Sequence, residues 1–97
     1  DVAANQLERA YQLTGDPQHL LALGNAYLAA TRYFDAERTY RDVLARNPDN
    51  PHALHGLGWA LLYLDDVEAA HTAWLEALEL GSEPARADLE RVFREVH

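Results

Sequence analysis

The residues with the plainest chemical potential in this chain are His52 and His55, three apart and therefore on one face of any helix that carries them. Two imidazoles at that spacing can ligate a zinc or nickel ion, with a third ligand from elsewhere; Asp49 and Glu90 are the carboxylates that would be called on. Histidines at a helix start serve more often as a polar rim, and no metal site is expected here. No catalytic constellation accompanies them. The chain has no cysteine, so it has no disulfide, thiolate nucleophile or thiolate metal site. A Gly-rich phosphate loop, a nucleophile elbow and a His-Glu-x-x-His run are all missing from the sequence. Carboxylates are plentiful, but Glu37 with Arg41 and Glu90 with Arg94 read as i,i+4 pairs on solvated helical faces, each worth about 0.2–0.5 kcal/mol. The expectation is a chain that is not an enzyme and carries no cofactor.

Charge narrows the partners. A net charge of −8 over 97 residues, with a pI near 4.9, disfavours nucleic acid, whose affinity depends on cations that neutralise phosphates. All eight cations are arginine, and lysine, isoleucine and methionine do not occur; such an Ala-, Leu- and Arg-heavy composition suggests a high-GC bacterial genome. No apolar run approaches the roughly 18 residues of a membrane span, and the N-terminus lacks the basic and apolar regions of a signal peptide. A start at Asp1 points to a piece of a longer protein. The compartment is open, with the cytoplasm favoured and the periplasm as the alternative.

These side chains need a scaffold, and the sequence repeats one. Pro17, Leu20, Leu23-Gly24, Ala26, Ala36 and Tyr40 recur as Pro51, Leu54, Leu57-Gly58, Ala60, Ala70 and Trp74, each pair 34 residues apart. A fixed period of that size signals stacked supersecondary units. Within each unit, apolar residues three and four apart make helical stripes, and small residues mark close helix crossings. A glycine inside a helix costs about 1 kcal/mol relative to alanine. Keeping Gly24 and Gly58 in register therefore implies a backbone-to-backbone contact that no side chain would permit.

Punctuation sets the helices. Asp1 caps a helix over 2–13 that stops at Thr14-Gly15; its stripe is Ala3, Leu7, Ala10 and Tyr11. Asp16-Pro17 and Asn50-Pro51 each supply an N-cap and an N1 proline. The helices that follow run over 17–30 and 51–64, and their partners over 33–46 and 67–80, with Gly81 as the last stop. A sixth helix opens at Ser82 to Pro84. It carries Ala85, Leu89, Val92, Phe93 and Val96 as its apolar stripe, with Arg86, Asp88, Glu90, Arg91, Arg94 and Glu95 as a charged remainder suited to the end of a stack.

The series Leu20, Leu23-Gly24, Tyr27, Ala36, Tyr40 and Pro48 resembles a tetratricopeptide (TPR) repeat. The second copy keeps Leu54, Leu57-Gly58, Ala70, Trp74 and Ala77; it departs at Leu61, where Tyr is usual, and at Ser82, where the closing Pro would fall. The resemblance implies an all-α, right-handed helical solenoid of six helices in antiparallel pairs. Residues 1–97 then form one domain: a half-repeat over 1–16, repeats over 17–50 and 51–84, and a capping helix over 84–97.

The same resemblance implies a concave face lined by the first helix of each pair. The positions carried over are Gln18, Leu21, Ala22, Asn25, Leu28 and Ala29, then His52, His55, Gly56, Trp59, Leu62 and Tyr63. Period supports the grouping, since each set forms one stripe separate from the core stripe. Leu21, Asn25, Leu28, His52, His55, Trp59, Leu62 and Tyr63 are thus the candidate groove for a peptide or helix of a protein partner. The competing reading makes Leu21, Leu28 and Leu62 core, with Trp59 closing the groove under the sixth helix. The carboxylate clamp of some TPR domains is mostly absent: Asn25 stands at its first Asn, but Leu21 replaces the Lys and Gly56 the second Asn, leaving Arg86 as the only cation near a third position. The alternative role is self-assembly, as a homodimer through the edge beside Val2, Leu7 and Leu13.

Overall fold

Four helices open on the side-chain caps that the sequence supplies. The Asp16 carboxylate accepts the Gln18 N–H, Asn50 accepts those of His52 and Ala53, Asp66 that of Ala69, and Ser82 that of Ala85. The computed structural model describes residues 2–94. It contains α1 (Val2–Thr14), α2 (Pro17–Ala29), α3 (Tyr33–Arg46), α4 (Pro51–Tyr63), α5 (Val67–Glu79) and α6 (Glu83–Phe93), with no strand among the described residues. The expected cap Asp1 and the stripe residue Val96 lie outside them. Each helix packs on the next in sequence, and α2 also meets α4, so the hairpins stack side by side in a body of 43 × 24 × 17 Å. The result is an all-α, TPR-like helical solenoid.

The corners repeat as the sequence does. Thr31 and Asp65, 34 apart, both take left-handed φ values of 61° and 65°. Past them, the Arg32 N–H bonds Tyr27 O and the Asp66 N–H bonds Leu61 O, each at 2.9 Å. A β-branched residue is costly in that conformation, by about 1–2 kcal/mol, and Thr31 tolerates it because the turn satisfies carbonyls that the helix end leaves open.

The glycine expectation needs one correction. Gly24 and Gly58 do mark equivalent close crossings, but what they admit is an aromatic ring and not another backbone. A Cβ on Gly24 would lie 2.8 Å from Tyr40 Cε1, and one on Gly58 would collide with the Trp74 indole. Tyr40 and Trp74 are both fully buried. Gly56 is a third case, since its missing side chain leaves room for the same Tyr40 ring from the neighbouring repeat. It therefore belongs to the core and not to the concave stripe.

Helix α1 also differs by one residue. Ala4, 1% exposed, is its buried contact, with Leu7 and Tyr11 packed beside it, while Ala3 is exposed. Ala4, Leu7 and Tyr11 are spaced three and four apart and so share one helical face. Tyr11 further ties α1 to α3 by accepting from the Arg46 guanidinium.

Replacing Gly58 by alanine removes a propensity cost of about 1 kcal/mol but forces a methyl group into an indole with nowhere to move. The expected net effect is a loss of about 1–3 kcal/mol, measured by urea unfolding monitored by circular dichroism.

Candidate functional site

α2 and α4 carry no charged residue along their whole length, which sets them apart from the other four helices. Their last two turns and the start of α3 enclose an apolar cleft of about 460 Å³, lined by Asn25, Leu28, Ala29, Thr31, Tyr33, Trp59 and Tyr63. Three rings form its wall. Tyr33 and Tyr63 stack with centroids 4.6 Å apart and planes within 10°, and Trp59 lies 5.8 Å from Tyr63. Tyr63 is 55% exposed, which is high for so large a ring set against two others.

Asn25 and Trp59 occupy equivalent positions and meet equivalent rings. The Tyr40 hydroxyl donates to Asn25 Oδ1 at 2.5 Å, whereas Trp59 packs edge-on against Trp74 at 5.0 Å. Asn25 is thus the acceptor for a core phenol as well as a lining residue. Burial raises the Tyr40 hydroxyl well above its ordinary value of 10.0.

Trp59 is held from its other end by a carboxylate. Asp88 Oδ2 accepts from Trp59 Nε1–H at 2.9 Å and faces His55 Nε2 at 2.5 Å, while Oδ1 accepts from Arg91 at 2.5 Å. Asp88 is 7% exposed and belongs to the interface, not to a charged outer face as its residue type suggests. The expected stripe of α6 missed it, although 85, 88, 89 and 92 form one helical row that signals it. Arg91 caps the arrangement, 6.0 Å above the Trp59 ring.

The candidate residues therefore divide. Asn25, Leu28, Trp59 and Tyr63 share the cleft, and Tyr33 joins them unforeseen. Leu21 lies in a separate hollow with Gln18, Arg46 and Asn50. Leu62 is half-buried against the core, as the competing reading had it, and Leu28 also packs on the core while lining the cleft. His52 is exposed, and His55 is committed to Asp88. Neither Asp49 nor Glu90 joins the two histidines: among the described residues, no group of three or more His, Cys, Asp or Glu could hold a metal ion. A further hollow of about 410 Å³ between α3 and α5, floored by α4, is lined by aliphatic side chains together with Thr72, Glu76 and Arg41, the last paired to Glu37 at 3.0 Å.

Helical hairpins repeated at a fixed period around a shared hollow define a repeat solenoid. The chain belongs to the tetratricopeptide repeat family, whose sequence model matches residues 21–83. TPR repeats are generally protein-interaction modules, and the family is typically non-catalytic. No curated protein matches the chain. None of the described helices is long and apolar enough to cross a membrane.

Two outcomes test this geometry. Asp88→Ala leaves the His55 and Trp59 donors facing an apolar gap and is expected to cost about 2–3 kcal/mol, with a smaller loss for Asp88→Asn, read from urea midpoints. Stability should also fall as pH rises past 10.0, because the unfolded chain releases the Tyr40 proton first. Tyr40→Phe should shrink that alkaline loss when unfolding at pH 7 and about 11 is compared with the parent chain.

Proposed function

We propose that the chain is a non-catalytic scaffold that holds an extended or helical segment of a protein partner along its α2–α4 face. In this reading residues 1–97 act as one domain, with a half-repeat over 1–16, repeats over 17–50 and 51–84, and a closing segment beyond. The observation that carries the reading is the wall of Tyr33, Tyr63 and Trp59, partly open to solvent around an apolar cleft between two uncharged helices. Rigid aromatic rings lose little conformational freedom on binding and anchor most interfaces that use them. Leu28 supplies the apolar floor and Asn25 a polar contact, while Leu21, His52 and His55 extend the same face toward the helix N-termini.

Self-association is the second reading. It draws on Val2 and Leu13, 74% and 79% exposed along the outer side of α1, as the patch through which a homodimer would form.

Tyr63→Ala separates groove from core. The expected outcome is loss of binding by about tenfold or more to peptides selected on the parent chain, with a melting temperature shifted by only a few degrees. Equal binding by parent and variant would refute the groove. Light scattering across a range of concentrations reads the second possibility in the same samples, through dimerisation that Leu13→Glu abolishes.

A further inference from the structure

The aromatic cleft has an electrostatic sign. Its lining residues come from the last turns of α2 and α4, so the negative ends of two helix dipoles point into it, each equivalent to about half an elementary charge. Asp65 and Asp66 stand two and three residues past Tyr63, in the turn that follows α4. Asp66 caps α5, whereas Asp65 forms no ion pair among the described residues. Two arginines adjoin lining residues and both are paired: Arg32, next to Tyr33 in the chain, with Asp35 at 2.7 Å, a carboxylate it shares with Arg38, and Arg91, over the Trp59 ring, with Asp88 at 2.5 Å. The chain as a whole carries −8. Ring faces are themselves electronegative, so the balance of local contributions is negative, although the N-terminus of α3 at Tyr33 adds one positive dipole end.

Shape narrows the ligand further. Leu28 and Ala29 offer an apolar track leading to the rings, which suits the aliphatic stem of a long side chain with a charged head. A planar guanidinium stacks on tyrosine and tryptophan and donates along its edge, whereas an ammonium is a more strongly hydrated point charge. We infer that the cleft receives an arginine side chain from a basic partner segment, with the guanidinium against the Tyr33, Tyr63 and Trp59 wall and near Asp65. This inference rests on reading the concave face as a peptide groove and adds the chemistry of what enters it.

The test selects binders to the full chain from a phage-displayed library of random dodecapeptides, then measures the synthetic winners by fluorescence anisotropy. Arginine-containing peptides should dominate. Replacing that arginine by citrulline, which keeps the shape and removes the charge, should weaken binding about tenfold. Asp65→Asn, which tolerates the same left-handed turn, should weaken it several-fold, and raising salt from about 0.05 to 0.5 M should do likewise. Neutral or acidic winners that still depend on Tyr63 would overturn the arginine inference and leave the groove standing. Winners indifferent to Tyr63→Ala, or a dimer broken by Tyr63→Ala, would remove the groove and the inference together.

Discussion

An aromatic ring seated against a backbone that lacks a side chain sets the spacing of this molecule. Tyr40 reaches from α3 to Gly24 on α2 and to Gly56 on α4, so one buried ring fixes two neighbouring helices at once. Trp74 does the same from α5, meeting Gly58 on α4 and joining Ala85 and Leu89 of α6 in one buried cluster. The helices that line the concave face are therefore held side by side from behind. Tyr63 at the end of α4 is thereby left 55% exposed while the two helices keep their places. Stability in such a stack is shared between nearest neighbours, and here a few large side chains carry much of that sharing.

Polar contacts follow the same plan. The two fully buried rings with a polar atom find acceptors on the groove helix in front of them: the Tyr40 hydroxyl on Asn25 Oδ1, the Trp74 indole N–H on the His55 carbonyl at 2.9 Å. Among the described residues no buried side-chain nitrogen or oxygen lacks a partner. Buried polar groups left unpaired are costly. The two copies solve the requirement differently, because position 25 is an amide and position 59 an indole, and the second copy needed Asp88 to satisfy the extra N–H.

Much of the fold could be read from the residues because local chemistry decided it. Prolines, caps and the 34-residue period placed the bounds of the first five helices and the start of the sixth within about one residue of those observed, whereas α6 ends at Phe93 with a left-handed Arg94, short of the expected 97. The cleft was only partly legible. Tyr33 entered the reading as the first residue of a helix, and its stacking partner lies 30 positions on, across a contact that no periodicity announces. Asp88 was hidden by its type: a carboxylate was assigned to solvent although its spacing set it among apolar neighbours. The glycines revealed that space was required but not what would fill it, since the answer sits on a different helix. Leu21 and Leu62 shared the stripe of Leu28, yet pattern alone could not say that the first opens onto another hollow and the second packs inward.

The carboxylate on α6 also gives that helix an address. An amphipathic helix held by leucine and alanine alone can slide along its seat by a turn and still bury similar area. With Asp88 in the seam, a slip carries a charge away from the indole and imidazole that receive it and strands it against hydrocarbon, where it is strongly disfavoured. A single acidic side chain thereby converts a greasy contact into a keyed one, and the last helix of the stack has one place to stop.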